Sequence, residues 1–245
     1  MNKKDMIFGA RAVLEAIEAG REIDKIFIQK NTKSELTGEV VRQAKDHHIP
    51  LRSVPPEKLQ TISKKNHQGV LAFISPVVFA SLDHIIHSAF EKGEMPFILM
   101  LDRITDMRNF GAIARTAEGA GVHALLIPSR GGAAISADAV KTSAGALHHI
   151  PLCRAENLKE ALHYLKESGL QVVGLSEKGK KTLFEEDLSG PRVMILGSEE
   201  DGISPEYLKL CDQVVSIPML GQIGSLNVSV SAGIALYEVV RQRGS

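Results

Sequence analysis

Phe97-Ile98-Leu99-Met100-Leu101-Asp102-Arg103-Ile104-Thr105-Asp106-Met107-Arg108-Asn109-Phe110-Gly111-Ala112-Ile113-Ala114-Arg115-Thr116-Ala117 passes from an unbroken apolar run into a segment with helical spacing. A strand that is apolar at every position must be covered on both faces, which is the pattern of a parallel sheet. The alternation continues toward the C-terminus. Further strands are expected at Ala124–Ile127, Val172–Leu175, Val193–Leu196 and Val214–Ile217, with helices near residues 109–120, 137–146, 157–168, 204–210 and 227–242. This order predicts an α/β fold whose parallel sheet carries helices on both sides. Ligands in such folds gather at the carboxyl ends of the strands, and the most unusual segments of this chain lie there.

Upstream the texture changes. Residues 77–95 offer one amphipathic helix near Leu82–Phe90 and read as a linker between domains. Residues 1–76 read as a small α/β unit. Its elements are a helix over Ile7–Ala19 stopped by Gly20, a strand at Lys25–Ile28, a helix from Ser34 to His47, a strand over Ile49–Val54, a short helix begun by Pro55 and a strand at Gly69–Ile74. Residues 96–245 form the second domain.

Composition limits the class of protein. Hydrophobic residues make up 44% and charged residues 24%, as in ordinary globular chains. No apolar run approaches the roughly 20 residues that cross a bilayer, so no membrane partner is expected. Met1 to Met6 lead into a mixed segment rather than a signal-peptide core. Cys153 and Cys211 are far apart and outside any CxxC pattern, so neither disulfides nor zinc are expected and the cytoplasm is the default location. The nine histidines form no metal constellation either, and no metal is expected. Residues 1–80 hold 13 Lys and Arg against 9 Asp and Glu, whereas residues 81–245 hold 16 against 20. A mildly basic N-terminal part is compatible with nucleic acid.

Three segments that follow strand ends carry the chemistry. In the first, Asn109 suits a helix cap, and equally a site residue. Arg115 sits on a helix of small and apolar residues, which implies burial and hence a partner, either Glu118 at i+3 or an anionic ligand. The second, Val193-Met194-Ile195-Leu196-Gly197-Ser198-Glu199-Glu200-Asp201-Gly202, runs from a strand into three acids bracketed by glycines. Gly197 permits close backbone approach to a ligand; the acids suit a solvated turn or the dipole of the next helix. The third, Ile217-Pro218-Met219-Leu220-Gly221-Gln222-Ile223-Gly224-Ser225-Leu226-Asn227-Val228-Ser229-Val230, is an apolar loop before the terminal helix, with Asn227 again suited to capping.

In this order the three segments resemble the motifs of the SpoU (TrmH) family of RNA ribose methyltransferases. Asn109, Gly111 and Arg115 match Asn-x-Gly-(x)3-Arg, Leu196-Gly197 with Glu199 match motif 2, and Ile217 to Val230 match motif 3 almost letter for letter. Ile7-Phe8-Gly9 and Asn66-His67-Gln68-Gly69-Val70 are similar to the small substrate-binding domain of the ribosomal branch, whose shape is that of ribosomal protein L30e. The resemblance implies a catalytic sheet tied in a deep trefoil knot, a homodimer and S-adenosylmethionine as cofactor. It also implies methyl transfer to a ribose 2′-hydroxyl, with a guanosine of 23S rRNA as the nearest match. Gly197, Ile217, Met219 and Leu226 are then the expected cofactor contacts, and Arg115, Asn109, Glu199, Ser225 and Asn227 the expected catalytic set. The family gives the motif 1 arginine the role of base. Because a guanidinium normally stays charged, a grip on phosphate and on the developing alkoxide is the alternative. Glu199 is a candidate buried partner for Arg115, and the terminal helix suits either a core or a dimer interface.

Other readings are methylation of tRNA or another rRNA nucleotide, and a non-catalytic RNA-binding assembly factor on the same fold. An intact set of site residues argues against the second. A nucleotide-dependent oxidoreductase would need GxGxxG after the first strand, and Asp102 to Asn109 lack it.

Overall fold

The computed structural model describes residues 6–32 and 34–244; residues 1–5, 33 and 245, including most of the leading segment, lie outside that description. The chain divides into two compact units, Met1–Val78 with Ile135–Ala137, and Phe79–Ala134 with Asp138–Ser245.

The first unit runs β1 (Met6–Phe8), α1 (Ala10–Glu18), β2 (Ile23–Gln29), α2 (Glu35–Asp46), β3 (Leu51–Val54), α3 (Pro56–Ile62) and β4 (Val70–Ile74). Its sheet has the order β1-β4-β2-β3, with β4 antiparallel to β1 and β2, and β3 parallel to β2. Val13, Ile17 and Val40 from the first two helices close over Ile26 and Val70. On the opposite face Leu59 packs with Leu71 and Phe73, and the Phe27 and Phe73 rings meet edge to face at 5.8 Å. The helix expected from Ile7 begins at Ala10 instead. Met6–Phe8 is taken into the sheet beside β4, and Gly9 at φ +90° makes the turn between them.

The second unit runs β5 (Phe79–Ala80), α4 (Leu82–Glu91), β6 (Phe97–Leu101), α5 (Met107–Gly119), β7 (Ala124–Pro128), α6 (Ala137–Thr142), β8 (Leu152–Ala155), α7 (Leu158–Glu167), β9 (Gln171–Leu175), β10 (Lys181–Thr182), β11 (Arg192–Leu196), α8 (Pro205–Leu208), β12 (Gln213–Ser216) and α9 (Val228–Arg243). All its strand pairs are parallel, in the order β10-β12-β9-β11-β6-β7-β8-β5. The segment expected to be a plain connection is built into this unit. Phe79 pairs with Leu152, its ring lies 3.6 Å from the Arg154 guanidinium, and Ile86 of α4 is buried with Met100 and Leu126. Strand β8 itself was not expected: four residues between Pro151 and a polar turn give little pattern to read.

The topology positions a site. From β6 the sheet grows through β7 and β8 to the β5 edge, and the chain then crosses back to lay down β9. The slot left between β9 and β6 is filled by β11, where Arg192 pairs with Gln171 on one side and Phe97 on the other. The direction of growth therefore reverses beside β11, and a crevice opens at the carboxyl ends of the strands there. Helix α9 returns to pack along α5. Cys153 and Cys211 are free thiols whose burial pushes them up to about 12 and about 11, so neither is a ready nucleophile.

Candidate active site

A cleft of about 770 Å³ lies at the ends of β9, β11 and β12, closed on one side by the loop between β12 and α9. That volume falls in the range of small-molecule sites. Gly197, Ile217, Met219 and Leu226 all line it, together with Glu199, Ser225 and Asn227. Among the described residues, no main-chain hydrogen bond involves residues 217–226. A stretch of ten residues thus presents backbone donors and acceptors with no partner in the chain, beside apolar side chains. Such a surface can hold a flat heterocycle through backbone groups.

The three segments meet at the rim. Asn109 Nδ2 donates to Glu199 Oε1, and Asn227 Nδ2 donates to Asn109 Oδ1 at 3.1 Å. Asn227 Oδ1 in turn accepts from the backbone N–H of Ser229 at 2.9 Å, which caps α9 as expected. Asn109 does not cap α5. Asp106 does, accepting from the N–H groups of Arg108 and Asn109 at 2.7 and 3.0 Å, so Asn109 sits one turn inside with its amide free for the network. Ser225 lies in the cleft wall and its hydroxyl makes no hydrogen bond among the described residues.

Arg115 departs from expectation. It is exposed, it pairs with neither Glu118 nor Glu199, and it does not line the cleft. The buried side of α5 is Phe110, Gly111, Ile113, Ala114 and Ala117, and position 115 falls outside that stripe. Six residues of helix carry it about 9 Å beyond Asn109. Glu199 is likewise exposed, and the partner it has is Asn109.

Two glycines are explained by the chain itself. A Cβ at Gly111 would sit 2.6 Å from Thr142 Cβ and 2.9 Å from the Ser143 nitrogen, so the glycine lets α5 press against that segment. Gly197 was expected to admit a ligand; the close approach is made by residues 202–203. A Cβ there would lie 2.0 Å from the Gly202 carbonyl carbon, because Ser198 and Gly202 exchange backbone hydrogen bonds and fold the acidic loop back on the strand end.

Sequence reasoning missed Asp102 and Arg103. The Asp102 side chain is buried at the end of β6, where it accepts from the Ser204 N–H at 2.6 Å and from Arg103 Nε at 3.0 Å. Arg103, at φ +58°, also donates to Asp201 Oδ2 at 3.0 Å and to the Gly202 carbonyl at 3.2 Å. Its hydrogen bond to Asp102 raises the guanidinium further above its ordinary value. This pair pins residues 201–204, and with them the cleft wall. The legible signal was a carboxylate directly after a buried strand, which rarely goes unpartnered. Asp102→Ala is expected to lower unfolding stability by about 2 kcal/mol, after allowing for solvent screening at the half-exposed Arg103. Urea titration would show a lower midpoint with an unchanged slope; a parental midpoint would mean the clamp contributes nothing.

Among the described residues, no group of three His, Cys, Asp or Glu could hold a metal ion. Among the same residues, no helix is long and apolar enough to cross a membrane.

Comparison with known proteins matches both units. The model of the SpoU rRNA methylase family covers residues 96–237, and that of the RNA 2′-O ribose methyltransferase substrate-binding family covers residues 6–79. Bacillus subtilis YacO, assigned to the TrmH family of tRNA/rRNA methyltransferases, is 36% identical over 239 residues, spanning 98% of this chain and 96% of its own length. A Staphylococcus aureus protein with the same family assignment is 37% identical over 241 residues, covering 97% and 96%. Among solved structures, the SpoU methyltransferase AviRb of Streptomyces viridochromogenes in complex with AdoMet superposes with a TM-score of 0.61 at 27% identity, over 97% of this chain and 89% of that one. An AdoMet-bound rRNA methyltransferase of Sinorhizobium meliloti gives 0.61 at 25% identity, over 96% and 86%. On the strength of these matches along nearly its whole length, the chain belongs to the SpoU (TrmH) family of RNA methyltransferases.

Proposed function

We propose that this chain transfers a methyl group from S-adenosylmethionine to a ribose 2′-hydroxyl of RNA, and that the nucleotide is a guanosine of 23S rRNA. The observation that carries the reading is the convergence of Asn109, Glu199 and Asn227 at the rim of a cleft walled by Gly197, Ile217, Met219 and Leu226. The unpartnered backbone of residues 217–226 and its apolar side chains suit an adenosine, and AviRb, a structural relative, was crystallised with this cofactor. When bound, the cofactor supplies a methyl group on a sulfonium, open to in-line attack by the 2′-oxygen. The residues of the chain do the positioning, which can supply a large share of the acceleration. Glu199 and Asn227 fix the Asn109 amide, Ser225 offers a free hydroxyl to the ribose, and Arg115 grips phosphate and steadies the developing oxyanion.

We read the catalytic unit, residues 96–245, as a trefoil knot. The late insertion of β11 between β9 and β6 favours this, as does the close approach of Gly179 to the main chain of Val215. Residues 1–76 serve as an L30e-like RNA-binding domain, and most of the segment 77–95 is part of the unit that follows. Two copies associate through the 217–227 loop and α9. Leu220 and Ile223 are 100% and 75% exposed there, and Val230 and Tyr237 stand exposed two helical turns apart. The enzyme acts in the cytoplasm, on RNA.

Labelled methyl transfer to unmodified 23S rRNA and to tRNA, with mapping of alkali-resistant linkages, tests the reading. Label at a 23S rRNA guanosine is the expected result. Label in tRNA alone would move the substrate, and cofactor binding without transfer to either would favour an assembly factor.

A further inference from the structure

We propose that a cavity open at the surface of the N-terminal unit holds one unstacked nucleotide of the RNA substrate, so that residues 63–69 are a recognition loop and not merely the link from α3 to β4. The proposal rests on RNA being the substrate.

The cavity measures about 640 Å³ and is walled by Gln29, Thr32, Gln60, Lys64, Lys65 and Asn66, with no Asp or Glu in its lining. Its loop is built rather than slack. Ser63 Oγ accepts from the Lys65 N–H at 3.2 Å, and His67 Nδ1 accepts from the Gly69 N–H at 3.1 Å. Gln68 and Gly69 both take left-handed backbone, at φ +46° and +79°. That is costly for glutamine and is the kind of strain kept at binding sites. A Cβ on Gly69 would come within 3.3 Å of Gln29 Cβ and Thr32 Oγ1, so the glycine brings the loop down onto the cavity floor.

Ser63 and His67 are used in the loop itself and Lys65 Nζ lies 5.0 Å from the Phe8 ring centroid, but other polar groups around this cavity are uncommitted. Thr32 Oγ1 is buried and finds no hydrogen-bond partner among the described residues. Among the described residues, the side-chain amides of Gln29, Gln60 and Asn66 make no hydrogen bond and Lys64 makes no ion pair. A buried hydroxyl left unsatisfied costs free energy that a ligand can restore. Amide edges read the in-plane donors and acceptors of a nucleobase, and ammonium groups take the flanking phosphates. The lysines and the absence of acids disfavour a cation, and the volume exceeds what a lone phosphate fills, whereas it suits a nucleotide.

The full-length protein with its cofactor, titrated with labelled unmodified 23S rRNA across salt concentrations, separates base reading from charge. Gln60→Ala with Asn66→Ala is expected to weaken RNA binding about tenfold without changing the salt slope. Lys64→Ala with Lys65→Ala is expected to weaken it and flatten the slope by about 1.4, two phosphate contacts on single-stranded RNA. S-adenosylmethionine affinity, measured by calorimetry, should stay parental in both pairs, and an unchanged thermal unfolding profile and circular dichroism spectrum show that the N-terminal unit still folds. Parental RNA affinity in the amide pair overturns the pocket, leaving an ordinary basic patch. If the parent methylates RNA while that pair binds normally, only the pocket fails; if the parent methylates no RNA, the substrate reading fails with it.

Discussion

Arg115→Ala lowers turnover about 10³-fold or more while leaving S-adenosylmethionine affinity within about twofold of the parent, the size expected when a charge that steadies a developing oxyanion is removed. The split between the two readouts follows from where the residue sits. Arg115 touches neither the cleft nor the Asn109 network, so its removal should not disturb the wall that would hold the cofactor. An exposed arginine with no ion pair among the described residues also contributes little to stability, so the melting temperature should barely move. A collapse of cofactor affinity would refute the assignment and make the residue structural.

The same position raises the question of which cleft Arg115 serves. It lies about 9 Å along α5 from Asn109 and off the stripe that packs into its own unit. Helix α9, packed on α5, leaves Val230 and Tyr237 exposed nearby. If the proposed homodimer covers this face, the guanidinium would serve the cleft of the second copy. Mixing Arg115→Ala with Asn227→Ala chains and allowing exchange should then recover about a quarter of parental activity, since half the dimers carry one complete site of two. If each cleft used its own arginine, the mixture would stay inactive.

Much of the catalytic unit was legible because its strands are apolar throughout. Phe97–Leu101 falls on the expected residues, and the other four expected strands are offset by one residue at most at either end. What escaped were strands too short to show a period, Phe79–Ala80, Leu152–Ala155 and Lys181–Thr182, and Met6–Phe8, where pairing with β4 overrode a helix-like spacing. At the site, the residue types were legible and their partners were not. Asn109 looked like a cap because nothing local reveals that Asp106 already fills that role. Arg115 looked buried because Ala and Gly around it suggest burial, whereas here several of them serve close helix packing on one side only. Asp102 and Arg103 could not be matched to residues 201–204, about a hundred positions away, without the sheet order that brings β6 beside β11.

Gly197→Ala should be the most damaging single methyl group in the chain, because its cost is set by backbone and not by a movable side chain. The added Cβ would lie 2.0 Å from the Gly202 carbonyl carbon and 2.1 Å from the Ile203 nitrogen. No rotamer change relieves that overlap; either the bridge between Ser198 and Gly202 opens or β11 shifts against β6. Overpacking of this kind costs about 1–3 kcal/mol, and the upper end applies where main chain must move. Residues 198–202 carry Glu199 and receive the Arg103 clamp, so the displacement should also cut cofactor affinity by about a hundredfold, or nearly 3 kcal/mol. Gly224→Ala is the matched control. It alters the same cleft, yet a Cβ there meets nothing within 4 Å, so both stability and affinity should stay close to parental. Thermal unfolding and calorimetry on the pair decide the matter. Equal losses in both variants would mean that the cleft tolerates no added methyl group anywhere. A parental Gly197→Ala would mean that the 198–202 turn yields freely, and that its closeness to the strand end holds nothing in place.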